Sequence, residues 1–271
     1  MSSASRRKPL SLISVHALAD ILTAAGLSRH QQIALLRSER VSVDGKPTRN
    51  PLEPVDLLAG EVCVDGARLA DLATCRYLLL FKPYRVLCAF TDPEGRATLA
   101  DYVAEPDVYA VGRLDYDSEG LMLLTDDGWL NHRLAHPEYD HPKTYLAQVE
   151  RVPDEAALRE LARGVIVKGQ RTLPAEVTLL TEAPALPERP TPVRYRANVP
   201  TAWLRLVLRE GKKRQVRHMT AAVGYPTLRL VRVAIGPLTV GSLEPGEWRH
   251  LTHDELLTLR ASVQPRGRRR S

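Results

Sequence analysis

Apolar and polar positions change period several times along the chain, and each change marks an element. Near the N-terminus Leu18, Ile21 and Leu22 recur at helical spacing and Gly26 stops the run. Ser28 stands where an N-cap belongs, and Ile33, Leu35 and Leu36 continue an apolar face, so Val15–Leu36 predicts two short helices. Val41–Val43 and Val62–Val64 alternate as strands, each followed by Asp-Gly (Asp44-Gly45 and Asp65-Gly66), a strong hairpin signal. This helix–helix–strand–strand unit is small and joins the rest of the chain through Ala67–Thr74.

Beyond it, the unbroken apolar run Tyr77–Phe81 predicts a buried strand, ended by Lys82-Pro83 because proline has no donor for a ladder. Arg85–Arg96 reads as a polar loop and Thr98–Val103 as a short helix. Two β-like runs follow, Val108–Val111 and Leu121–Leu124, the second closed by Asp126-Asp127-Gly128, and then a helix over Trp129–Leu134. Thr144–Val149 alternates as a strand, and Asp154–Arg163 is a helix between Pro153 and Gly164. Pro184–Pro192 reads as a surface loop, Trp203–Leu208 as a half-buried strand, Arg214–Val223 as a helix ended by Gly224, and Leu228–Ile235 as a strand. Strands and helices alternate irregularly without a repeat, which predicts an α+β fold with a mixed, largely antiparallel sheet flanked by helices.

A chain of 271 residues suits one large domain or a small one with a larger one, and 44% hydrophobic residues suffice for a core. No apolar run reaches the length of a membrane span, and MSSASRRKPL lacks the apolar middle of a secretory signal, so a cytoplasmic protein is expected. Cys63, Cys75 and Cys88 are odd in number and too far apart for a C-x-x-C site, which predicts buried, reduced thiols. The net charge of +6 and pI near 9.3 suit a polyanionic partner. Part of that excess lies in basic tails, expected to be disordered over residues 1–10 and 262–271 (Arg6-Arg7-Lys8; Arg266, Arg268, Arg269, Arg270).

Between the two β-like runs lies a polar loop carrying Arg113, Asp115, Asp117 and Glu119. Read for calcium, Asp115, Asp117, Glu119, Gly120 and Asp126 take the first, third, fifth, sixth and twelfth places of an EF-hand loop. The detail is poor: Asp126 is short where a bidentate Glu belongs, and Glu105-Pro106 opposes the helix an EF-hand needs upstream. A solvated acidic turn is the plain alternative, and a catalytic aspartate the third. His132 and His136, four apart, lack a third ligand for zinc. No metal is expected.

Gly112–Asp115 (GRLD), followed by Asp117–Leu121 (DSEGL), resembles the active-site motif of RNA pseudouridine synthases, closest to the family named after ribosomal small-subunit pseudouridine synthase A. His141–Tyr145 (HPKTY) resembles that family's K-x-Y segment, and Phe81–Leu87 (FKPYRVL) its first segment. Glu210–Met219 (EGKKRQVRHM) is the most specific match, to E-G-[KR]-x-R-Q-[IV]-R-[RK]-M. Tyr116 and His218 depart from the pattern where basic residues are commoner. AAGLSRHQQIALLRSERVSVDGKP resembles an S4-like RNA-binding domain, although the first helix lacks that domain's usual basic residues around His16–Asp20.

The resemblance implies an S4-like domain over residues 11–68 ahead of a catalytic domain over 76–256, and a cofactor-free isomerisation of uridine in ribosomal RNA. Asp115 would act on the ribose, either attacking C1′ or abstracting the 2′ proton. Tyr145 would pack on the flipped base and help deprotonate its C5, and Arg217 would pair with Asp115 and hold it ionised. Arg113 would fill the space of the flipped base; two residues from Asp115 in an extended segment, it projects to the same side. Lys82, Lys143, Lys212, Lys213 and Arg214 would contact RNA, joined by Arg29, Arg37 and Arg40 of the small domain. The run from Pro200 to Gly236, with Pro245–Thr252, looks most like a subgroup acting on large-subunit ribosomal RNA, free or in an assembly intermediate. The rival is a non-catalytic ribosomal-RNA-binding or assembly factor. A monomer is the default.

Overall fold

The computed structural model describes residues 15–25, 27–56, 60–69, 75–135, 139–193 and 199–263. Most of both basic tails, Gly26 and His136 lie outside these residues. The chain forms two compact units, Met1–Cys75 and Arg76–Ser271.

The first unit contains β1 (Val15–Ala17), α1 (Leu18–Ala24), α2 (Arg29–Arg37), β2 (Val41–Val43), β3 (Lys46–Pro47), β4 (Pro54–Asp56), β5 (Val62–Val64) and β6 (Ala67–Arg68). Ser28 caps α2 through a capping box: its hydroxyl accepts from Gln31 N, and the Gln31 side chain accepts from Ser28 N at 2.7 Å. Asp44-Gly45 and Asp65-Gly66 both adopt the left-handed conformations of a tight hairpin turn (φ 51° and 77°, 54° and 77°), which gives the four-stranded antiparallel order β3-β2-β5-β6. Val41, Val43, Val62 and Val64 face inward and are buried.

The second unit is built on a nine-stranded sheet. Its strands are β7 (Tyr77–Lys82), β8 (Tyr109–Ala110), β9 (Glu119–Thr125), β10 (Lys143–Glu150), β13 (Glu176–Leu179), β14 (Thr201–Leu208), β15 (Thr227–Ile235), β16 (Leu238–Thr239) and β17 (Trp248–His250). A separate hairpin pairs β11 (Ile166–Val167) with β12 (Gln170–Arg171). The helices are α3 (Gly128–Ala135), α4 (Glu155–Arg163), α5 (Gln215–Ala222) and α6 (His253–Ser262), with a 3-10 turn over Leu99–Asp101. The sheet order is β13-β14-β10-β15-β9-β7-β17, antiparallel throughout except where β15 and β9 run parallel.

Leu78, Leu80, Met122, Leu124, Tyr145, Ala147, Leu204, Leu206 and Leu230 from the sheet pack with Leu161 of α4 and with Val216 and Met219 of α5 in one core. On the other face Leu79, Phe81, Leu121 and Leu123 are equally buried, which is why these strands read as continuous apolar runs. The strands around the 111–118 loop exclude the paired helices of an EF-hand. Gly120 is indispensable at the parallel contact. At φ +104° a Cβ there would stand 2.2 Å from the Arg232 carbonyl oxygen.

Three expectations need correction. Each cysteine is half-buried and not buried. Ser262 belongs to α6 and Val263 is buried, so these two residues are not tail. The proline-rich stretch before β14 is not merely a surface loop, because Arg189 is drawn inside, 4.0 Å from the Tyr84 ring centroid and 3.7 Å from Glu119.

Candidate active site

The loop after β8 is pinned from several sides. Val111 N–H donates to Leu123 O (2.8 Å), and Leu114 N–H to the Cys88 sulfur (3.2 Å). Arg85 N–H donates to Tyr116 O (2.9 Å), and Ser118 N–H to Asp115 O (3.0 Å), closing the turn Asp115–Ser118. A polar loop held this firmly between strands displays its side chains at fixed positions.

Opposite this loop, the segment between β14 and α5 is locked by a buried pair. Glu210 accepts from the Gln215 amide and from Leu173 N–H, while Gln215 accepts from Lys212 N–H. The chain turns at Arg214, a left-handed N-cap (φ 55°, ψ 32°), whereas Gly211 has no such conformation. The Arg214 guanidinium grips Asp117 with two parallel bonds (2.7 and 2.9 Å). Arg217 also turns to Asp117, with Nε 3.4 Å from the carboxylate and NH2 2.6 Å from the backbone oxygen. Burial alone would raise the Asp117 carboxyl, but the Arg214 bonds and the Arg217 charge outweigh it and hold it below the usual carboxylate range. Arg217 therefore is not the ion partner of Asp115 expected from the sequence.

Asp115 is left half-exposed, without an ion pair among the described residues. It lines a cleft of about 560 Å³ with Arg113, Ser118, Tyr145, Lys213 and Arg214. The bonds to Asp117 raise the Arg214 pKa, with Asp115 adding to them, whereas burial lowers that of Arg217 against the opposing charges of Asp117 and Asp115. Tyr145 forms part of the apolar floor with Leu208, Val216 and Leu230. Beside it the β15 ladder carries an irregularity, between Thr144↔Ala234 and Tyr145↔Arg232. Such bulges re-aim side chains next to active sites.

Over residues 76–222 the chain matches the family described as RNA pseudouridylate synthase. It belongs to that family. The synthase is 51% identical over 181 residues to ribosomal large subunit pseudouridine synthase E of Vibrio parahaemolyticus, covering 67% of this chain and 76% of that protein. It is 33% identical over 247 residues to ribosomal large subunit pseudouridine synthase B of Bacillus subtilis, covering 91% and 95%. Among solved structures, a pseudouridylate synthase superposes with TM-score 0.58 at 28% identity, covering 90% of this chain and 99% of that one. The synthase is an isomerase that converts uridine to pseudouridine in RNA, and these comparisons give no support to a non-catalytic role.

The expected contacts of the synthase divide sharply. Arg113 and Lys213 are exposed at the cleft without an ion pair among the described residues, and Lys212 is exposed but 3.3 Å from Glu210. Lys82 is fully buried, its ammonium donating to Pro83 O and Val86 O (both 2.8 Å), and burial pushes its pKa down to about 8. It braces the loop after β7 and is not positioned to meet RNA. Lys143 is half-buried outside the cleft lining and donates to His141 O (3.2 Å); burial, then Arg232, lowers its pKa to about 8. In the first unit Arg29 and Arg37 are exposed, while Arg40 is engaged by Asp65 through two bonds (2.7 and 2.6 Å).

Sequence reasoning missed Asp117 as the arginine hub, and with it the buried Glu119, bound by Arg229 at 3.1 and 2.9 Å. The signal was present: Glu119 opens a strand whose every residue is buried, and a buried carboxylate needs a cation.

Proposed function

We propose that Asp115 is the reacting carboxylate, that Tyr145 holds the flipped base, and that the target is a uridine of large-subunit ribosomal RNA. One observation supports the first assignment above the others. Of two aspartates in one turn, Asp117 is consumed by Arg214 and Arg217, while Asp115 lines the cleft with no ion pair among the described residues. A carboxylate in a cleft that it shares with Arg214 is placed either to attack C1′ of the ribose or to take its 2′ proton. The N1–C1′ bond breaks, the uracil turns over the Tyr145 floor, C5 bonds to C1′, and the C5 proton is exchanged for one at N1. Atoms and charge balance without a further reactant.

Exposed Arg113, Lys212 and Lys213 line the route to this cleft and suit the phosphates around an extruded nucleotide, while half-buried Arg214 is held by Asp117. The first unit would act as an S4-like RNA-binding domain through Arg29 and Arg37. A monomer working in the cytoplasm, on free RNA or an assembly intermediate, fits this reading. The target class rests on the printed names of the relatives from Vibrio and Bacillus, both of the large ribosomal subunit.

The test is incubation of unmodified large-subunit RNA with wild type and with Asp115→Asn, followed by carbodiimide-stop primer extension. A single stop that requires Asp115 supports the reading. A stop made by both proteins removes Asp115 from the chemistry, and a stop found only on small-subunit RNA redirects the target.

A further inference from the structure

Ser118 carries a buried polar group that the reading above does not use. The residue is 1% exposed, it lines the cleft with Asp115 and Arg214, and its buried hydroxyl has no hydrogen-bond partner among the described residues. The polar groups beside it in the chain are engaged: Ser118 N–H is on Asp115 O, Asp117 is on Arg214 and Arg217, and Glu119 is on Arg229. A hydroxyl buried without a partner is disfavoured, and folded proteins keep few of them. One placed on the wall of a ligand cleft acquires its partner when the ligand arrives.

We infer that the Ser118 hydroxyl hydrogen-bonds an oxygen of the bound uridine's ribose and holds the sugar against Asp115. The inference rests on Asp115 being the reacting carboxylate. The sugar is favoured over the base by placement. Asp115 and Ser118 are the two ends of one turn, closed by the 3.0 Å bond between them. Tyr145, which would hold the base, stands on β10, separated from β9 by β15. Two strand spacings make roughly 10 Å. A contact from Ser118 therefore falls on the half of the nucleoside that Asp115 attacks.

The experiment compares wild type, Ser118→Ala, Ser118→Thr and Asp115→Asn in single-turnover isomerisation of a ribosomal RNA transcript at saturating enzyme. Filter binding of the transcript and melting temperature accompany each variant. Ser118→Ala is expected to slow the reaction by about tenfold, as the loss of one such bond does. RNA affinity and melting temperature stay at the wild-type values, and Ser118→Thr restores most of the rate. Ser118→Ala reacting as wild type beside a silent Asp115→Asn overturns the inference and leaves the carboxylate assignment standing. A rate loss that comes with a lower melting temperature and is not restored by Thr also overturns it, as a purely structural effect. An active Asp115→Asn removes the premise. Transcripts carrying 2-thiouridine or 4-thiouridine at the target should keep the full Ser118→Ala penalty; a penalty that disappears there moves the contact to the base.

Discussion

Arg113 and Lys213 stand exposed at the cleft with no ion pair among the described residues, whereas Lys82 and Arg232, on the sheet beneath it, are 0% and 1% exposed. The side chains are of the same kinds, yet the work differs. Lys82 ties two carbonyls of its own loop, and Arg232 donates to Leu121 O (2.7 Å) and to the Met122 sulfur (3.0 Å). Buried cations close the hydrogen bonds of irregular backbone, and exposed ones are open to a polyanion. A count of basic residues near a motif therefore overstates the number of RNA contacts. The acids divide in the same way, with Asp117 and Glu119 committed to arginines and Asp115 left for the cleft.

The largest effect should come from Asp115→Asn. Single-turnover isomerisation is expected to fall by at least about a thousandfold, on the scale of losing a nucleophile or base, with an unchanged melting temperature. A drop in melting temperature of several degrees would place Asp115 with the committed acids. Next is Gly120→Ala, which drives a Cβ into the Arg232 carbonyl at a positive φ. A loss of about 3–5 kcal/mol in denaturant unfolding is expected; a loss below 1 kcal/mol would show that β9 and β15 shift freely.

Acid stability tests the buried side. Burial, then Lys143, pushes the His141 pKa down to about 4, against 6.5 when exposed. His141 is thus neutral in the fold and takes up a proton on unfolding. Its contribution is whole above pH 6.5 and is lost as pH falls toward 4, by about 3 kcal/mol. Unfolding curves of wild type and His141→Gln should converge over that window, and parallel curves would count against a buried neutral imidazole. The smallest effect distinguishes the cations themselves. Lys213→Met should lower the slope of log affinity for RNA against log salt by about one, and Lys82→Met should leave that slope alone. Equal slopes for both variants would erase the distinction.

Much of the fold was legible because its cues are local. Ser28 announced a capped helix, the two Asp-Gly pairs announced hairpins, and Tyr77–Phe81 announced a buried strand. The motif residues Arg113, Asp115, Tyr145, Lys213 and Arg214 were legible too, and all line one cleft. Pairing was not legible. Arg217 and Asp117 are 100 residues apart, and nothing in GRLDYDSEG says which aspartate an arginine from α5 will reach. Lys82 follows an apolar run and precedes a proline, a context equally suited to an exposed loop end or to a buried brace.

By itself, the sequence determined element types, turn positions, the family motifs and the cationic balance, because periodicity, capping and special backbone conformations act over a few residues. Tertiary structure alone decided that Asp117 takes both arginines, that Arg189 is drawn in beside Glu119, that Arg214 and not Gly211 carries the left-handed turn, and that Ser118 lines the cleft with a hydroxyl that has no partner among the described residues. Those outcomes depend on which distant strands become neighbours. The parallel contact of β15 with β9 sets that arrangement, and the close approach it needs is permitted by the missing side chain of Gly120.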